Sequence, residues 1–149
     1  PVCVWIAIRG EVLLTNPADI LPAVWLGGAG LTWVAGFDVI YSCQDAGFDK
    51  GEPIYSIPKR YGIRAALWLS AALHLAMLIV LVFLFWKEGL GTISFTGLTV
   101  VGLLLAYEHS LVRPTDLSRA NTAFFTINGC ISILLFATTM IDLLWNGTK

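Results

Sequence analysis

The sequence predicts an all-α, polytopic transmembrane helical bundle, and three observations predict it. Of 149 residues, 57% are hydrophobic and only 13% are charged, with a mean hydropathy of +0.78. A soluble domain carries about 25% charged residues. Four stretches are apolar over roughly the 20 helical residues that a hydrocarbon core requires. None of them alternates with period 2, which favours helices that satisfy their own backbone over a barrel. The net charge of −1 supplies no basic field, so no nucleic-acid partner is expected. Six Trp, eight Phe and four Tyr are too many for a disordered tail. Cys3, Cys43 and Cys130 are odd in number and scattered through apolar stretches, so they read as small hydrophobes rather than a disulfide framework or a metal site.

The four expected spans cover about 19–44, 63–86, 90–107 and 121–145. An apolar helix end over 1–9 is too short to cross and reads as the remainder of an earlier helix, so the chain is expected to be a fragment. Asn16-Pro17-Ala18-Asp19 offers a capping side chain, a proline at the first helical position and a carboxylate at the positive end of the helix dipole. Lys87-Glu88-Gly89 is a tight break, and Arg113-Pro114-Thr115-Asp116 is a turn with a cap for the last span. The loop over 46–62 is long enough to hold structure of its own, which in a bundle marks a functional segment. With alternating spans, Lys50, Lys59, Arg60, Arg64, Arg113 and Arg119 fall on one side and Arg9, Lys87 and Lys149 on the other. The positive-inside rule makes the long loop cytoplasmic.

The informative stretch is Phe37 to Asp49. At 100° per residue, Asp38, Ser42, Asp45 and Asp49 lie within an arc of about 60° on one helix face. Ionised carboxylates at i and i+4 repel each other, more strongly at a membrane boundary than on a solvated helix. The plain explanation is that acids at the end of a span are solvated and that Asp49 pairs with Lys50. The functional explanation is a hard cation, because Mg²⁺ takes oxygen ligands and is usually held by one or two carboxylates together with phosphate oxygens of a substrate. No His or Cys cluster stands beside the acids to suggest zinc or a redox metal. The segment that follows carries Lys50, Lys59 and Arg60 with the hydroxyls of Tyr55 and Ser56 between them, groups suited to a diphosphate as well as to an ordinary positive-inside loop.

Phe37-Asp38-x-x-Tyr41-x-x-Gln44-Asp45-x-x-Phe48-Asp49, followed by Tyr55-Ser56-Ile57-Pro58 and Gly62, resembles the second aspartate motif of the UbiA superfamily of membrane prenyltransferases. Within that superfamily the likeness is to the 4-hydroxybenzoate polyprenyltransferase branch and the related enzymes of menaquinone synthesis. Asp116-Leu117-Ser118-Arg119 and Asn121-x-x-Phe124-Phe125-x-x-Asn128-Gly129 are similar to the family's final helix. The resemblance implies that residues 1–149 are the C-terminal part of a single nine-helix domain, with the first Asn/Asp-Asp-x-x-Asp motif on a missing N-terminal half of the same protein. One departure is Pro53, where relatives commonly have Gly before the Tyr-Ser-Ile-Pro segment; proline cannot take a positive φ.

The resemblance further implies Mg²⁺-dependent transfer of a polyprenyl group from its allylic diphosphate to a small aromatic acid such as 4-hydroxybenzoate, in ubiquinone or menaquinone biosynthesis. It assigns Asp45 and Asp49 as metal ligands, with Asp38 as the deeper acidic position of the catalytic set. Lys50, Tyr55, Ser56, Lys59 and Arg60 would bind the diphosphate from a cytoplasmic cap that excludes water. The setting implied is the inner membrane of a bacterium, multi-pass in the lipid bilayer, and the fragment is expected to be inactive alone. The competing class is a membrane transporter or channel segment in which Asp45 and Asp49 form a carboxylate cation site.

The remaining polar residues read as structural. His74, Asn121 and Asn128 are expected to bond across helices, and Asp142 is expected to be solvated at the opposite membrane face. Gly27, Leu31 and Val34 continue the acid face into the bilayer.

Overall fold

The computed structural model describes residues 1–45 and 56–146, without the side chains of residues 45 and 122–124. The described chain is helical, with no β-strand. It runs from α1 (Val2–Thr15) through a 3₁₀ turn (Pro17–Ile20) to α2 (Leu21–Asp45), a short α3 (Ile57–Tyr61), α4 (Ile63–Lys87) and α5 (Thr92–Leu111). A π-helical turn (Thr122–Ile127) then leads into α6 (Asn128–Asn146). The protein is an all-α polytopic bundle.

Three stretches, Pro17–Gln44, Ile63–Lys87 and Phe125–Asn146, are long and apolar enough to cross a membrane. Helix α5 has 20 residues and includes Glu108 and His109 in its last turn. It therefore continues past Tyr107, where a reading that assigns charged residues to loops ends the helix. The interior of each crossing stretch is small, from 17% to 28% of its most apolar window. Leu31, Leu75, Ile79, Leu103 and Ile133 are among the many exposed aliphatics, a surface that suits contact with lipid. Trp86 and Trp145, near the ends of α4 and α6, are exposed aromatics of the kind that anchor helices at the interface.

The connections follow from local chemistry. Helix α4 ends on Gly89, whose φ of +69° is open to glycine without a Cβ clash. There Gly89 N–H donates to the Trp86 carbonyl and Leu90 N–H to that of Phe85, the paired bonds of a Schellman stop. At the other end of the bundle, Arg113 and Asp116 exchange backbone hydrogen bonds across Pro114-Thr115. The Asp116 carboxylate accepts from Ser118 N–H rather than from the last helix, and that bonding to Ser118 holds it below the usual carboxylate range. Asn16 makes no side-chain cap. Instead Asp19 reaches back to α1, accepting two bonds from the Arg9 guanidinium at 2.6 and 2.8 Å and one from the Trp5 indole at 3.0 Å. The helix kinks at Arg9, whose backbone leaves the helical region.

The core is shared by four helices. Ala29 of α2, Met77, Leu81 and Phe85 of α4, Val101 and Leu105 of α5 and Ile131 of α6 form its centre. Helix α2 packs most extensively on α4, and α5 on α6. Asp142 is a correction to the sequence reading: it is 2% exposed and accepts from Gly91 N–H and Ser94 Oγ at the start of α5. The unpaired N–H groups of a helix start attract a carboxylate, here supplied from a neighbouring helix rather than from the preceding turn.

Candidate active site on the acidic helix

Helix α2 has two faces of different character, although its sequence is apolar nearly all round. Ala29, Gly36, Ile40 and Cys43 lie within about 60° of one another and are buried. Opposite them Leu31 is 73% exposed, and Val34, Asp38 and Tyr41 are also exposed. Burial thus falls on one side of the helix and the acid on the other. From Leu31 onward the acidic face is left uncovered by the described residues, whereas nearer the start of α2 it meets α1, with Val2 3.8 Å from where a Cβ at Gly27 would stand and Ala23 buried.

Asp38 stands on this open face within a crossing stretch, and Asp45 is the last residue of α2, about 10.5 Å further along the axis at 1.5 Å per residue. That separation gives them different stations, one inside the apolar stretch and one at its end. The side chain of Asp45 and all of Asp49, Lys50 and Tyr55 lie outside the described residues. Ser56 is the N-cap of α3, its hydroxyl oxygen accepting from Lys59 N–H at 3.3 Å, which leaves the O–H as a donor. Pro58 is buried beneath α3, while Lys59 and Arg60 are exposed on it. The Arg60 guanidinium lies 5.3 Å over the Tyr61 ring. So a one-and-a-half-turn helix, started by Ser56 and proline and anchored by Pro58, presents two cations to solvent just ahead of α4.

Among the described residues, no three His, Cys, Asp or Glu side chains gather as a metal site. The donors on the open face are oxygens: the Asp38 carboxylate and the hydroxyls of Tyr41 and Ser42. Cys43 faces the core, its thiol donating to the Val39 carbonyl. Such a donor set fits a hard cation rather than zinc.

A separate groove of about 360 Å³ runs between α2, α4 and α6, walled by Leu26, Trp33, Phe85, Leu135 and Phe136. It lies on the flank of α2 that carries Leu26 and Trp33, not on the stripe of Leu31 and Val34.

Polar residues inside the bundle meet one another. His74 Nδ1 and His109 Nε2 are 3.0 Å apart, tying α4 to α5. Trp33 Nε1 donates to Asn128 Oδ1 at 2.9 Å, and Asn128 Nδ2 donates to Glu108 Oε1 at 3.4 Å. The cross-helix role expected for His74 and Asn128 holds, whereas Asn121 is exposed. Trp33, Glu108 and His109 went unremarked in the sequence. A signal for Glu108 existed: Val101, Leu105 and Glu108 follow the i, i+4, i+7 spacing of one helix face, and all three are buried.

The fold and this helix define a class: a multi-pass α-helical membrane protein with a carboxylate, Asp38, on the open face of a crossing helix. The chain belongs to the UbiA prenyltransferase family, whose family model matches residues 1–130. It is similar to a 4-hydroxybenzoate octaprenyltransferase of Nitrosospira multiformis, with 32% identity over 124 residues, 83% of this chain and 42% of that protein. The chain thus spans less than half the length of the curated relative it matches. No solved structure matches it significantly.

Proposed function

We propose that this chain supplies the second aspartate-bearing wall of an aromatic prenyltransferase active site. The enzyme would transfer a polyprenyl group from an allylic diphosphate to a small aromatic acid such as 4-hydroxybenzoate, for quinone biosynthesis. Family membership supports prenyl transfer, and the relative's name supports the acceptor. The observation that carries the site is the open face of α2, where Asp38 sits beside exposed Leu31, Val34 and Tyr41 while the opposite face is packed. A face that is polar at one end and apolar along its length suits a substrate with a charged head and an isoprenoid tail.

In the reaction the allylic C–O bond breaks and the electron pair leaves with the diphosphate. An electron-rich ring carbon then bonds to the allylic cation, and the ring proton is lost to solvent. Asp45 and Asp49 would hold Mg²⁺, whose charge offsets that of the departing diphosphate when bound. Lys50, Lys59, Arg60 and the hydroxyls of Tyr55 and Ser56 would grip the diphosphate oxygens, and the segment over 46–62 would cover the site against water. Asp38, two turns deeper, would complete the acidic set. The basic residues around the long loop support a cytoplasmic position for it, and the bacterial relative supports the inner membrane of a bacterium as the setting. The family gives the transporter alternative no support.

The test is prenyl transfer by a full-length protein that contains this segment. Activity should disappear in EDTA and return with Mg²⁺. Asp45→Ala and Asp49→Ala should each lower turnover by orders of magnitude without loss of folded protein. Transfer undiminished in EDTA would overturn the proposal.

A further inference from the structure

Helix α2 must present its acids in one direction, yet little in its composition fixes how it is turned. From Leu21 to Phe37 every residue is apolar, glycine or a lone Thr32 that bonds its own helix. In lipid there is no hydrophobic force between helices, so different rotations of such a helix differ little in burial free energy. Directional contacts have to choose among them.

Those contacts form a circuit through four helices. On α2 the Trp33 indole donates to Asn128 of α6, which donates to Glu108 of α5. The next residue, His109, meets His74 of α4. The circuit closes on α2, where the His74 ring packs against Gly36 so tightly that a Cβ there would collide with it. Ser70 Oγ also donates to the Gly36 carbonyl at 2.7 Å. Glu108 is fully buried, and its Oε2 makes no hydrogen bond among the described residues. A buried carboxyl with one unsatisfied oxygen costs free energy that apolar packing would avoid, so its presence calls for a role. By accepting from Asn128 Nδ2 it turns the amide so that Oδ1, not Nδ2, faces the Trp33 N–H. The π-helical turn that ends at Ile127 immediately precedes Asn128, and both Ile127 and Asn128 are buried. Such bulges recur at functional sites.

We infer that Asn128 and Glu108 are positioning residues for the acidic face: through the Trp33 hydrogen bond they fix the rotation of α2, and with it the direction of Asp38 and Asp45. Trp33 and Asp38 are five residues apart, about 140° around the helix, so the anchor grips one side while the acids work on the other. At about 5–6 Å from the axis, a side-chain oxygen moves about 2 Å for a 20° turn. Displacement by about 1 Å in an active site can lower a rate by about 10²-fold.

This inference rests on the proposed prenyl transfer for its activity readout, so the experiment has a second arm without one. In the full-length protein carrying Cys3→Ala and Cys130→Ala, nitroxide labels at Val34→Cys on α2 and Leu75→Cys on α4 report the rotation of α2 as a distance distribution. Asn128→Leu and Trp33→Phe should each shift or broaden it, and Glu108→Gln, which keeps an acceptor for Asn128, should leave it as in the parent. In unlabelled protein, the first two variants should lower kcat about tenfold or more and raise the Mg²⁺ needed for half-maximal rate, while Glu108→Gln retains both. If Asn128→Leu does not fold, Trp33→Phe, which loses the indole N–H and part of the ring volume but keeps an aromatic side chain, decides alone. An unchanged distance distribution overturns the inference, as does a shifted distribution with parental kcat. A parent protein without prenyl transfer overturns the proposed function instead, and the label distances still judge the rotation.

Discussion

Asp142 of α6 and Ser94 of α5 are joined by a hydrogen bond of 2.9 Å, and the same carboxylate oxygen accepts from Gly91 N–H. One helix therefore caps another, and Asn146 Nδ2 steadies the second carboxylate oxygen at 3.3 Å. Asp142→Ala should leave Gly91 N–H and Ser94 Oγ without their acceptor and lower stability by about 1–3 kcal/mol. Asp142→Asn, which keeps one acceptor oxygen, should lose less. Thermal unfolding in detergent, followed by size-exclusion chromatography, would read both, and equal midpoints for Asp142→Ala and the parent would remove the cap from the account.

At Gly97 the absent side chain lets Thr138 of α6 pack directly on the backbone of α5. A Cβ there would collide with the Thr138 side chain, whereas one at Gly102 would meet only Leu78 at 3.7 Å. Gly97→Ala should therefore destabilise the protein by about 1–3 kcal/mol through overpacking, and Gly102→Ala should be tolerated. The pair is checked by the same unfolding measurement, with Gly102→Ala as the internal control.

The bond between His74 and His109 predicts coupling between α4 and α5. In a double-mutant cycle of His74→Leu and His109→Leu, the interaction free energy should be about 0.6 kcal/mol and at most about 1.7 kcal/mol, the range found for hydrogen bonds between membrane helices. Additive single effects would show that the two rings touch without stabilising each other.

Lys59 and Arg60 are exposed on α3, beside the segment proposed to cover the diphosphate. Lys59→Ala and Arg60→Ala should weaken binding of prenyl diphosphate about tenfold while changing binding of the aromatic acid much less, as expected for charge-assisted bonds to phosphate. Isothermal titration with each substrate separately would tell. Equal losses for both would reduce these cations to a role in orienting the chain in the membrane.

The sequence by itself determined the all-helical membrane class, through its low charge and long apolar stretches, and the acid stripe of Asp38 and Asp45, through helix periodicity alone. Such features depend only on residues near one another in the chain. Tertiary structure alone decided which polar groups meet. Trp33 and Asn128 are 95 residues apart in sequence, and no local pattern pairs them. Nor could periodicity tell the packed face of α2 from the open one, because positions facing lipid and positions facing protein are equally apolar in a membrane helix. Asp142 and Glu108 show the same limit. Each sits near a helix end, where a solvated acid is the natural reading, and each is buried because a neighbouring helix brings a donor to it: Ser94 and Gly91 to Asp142, Asn128 to Glu108.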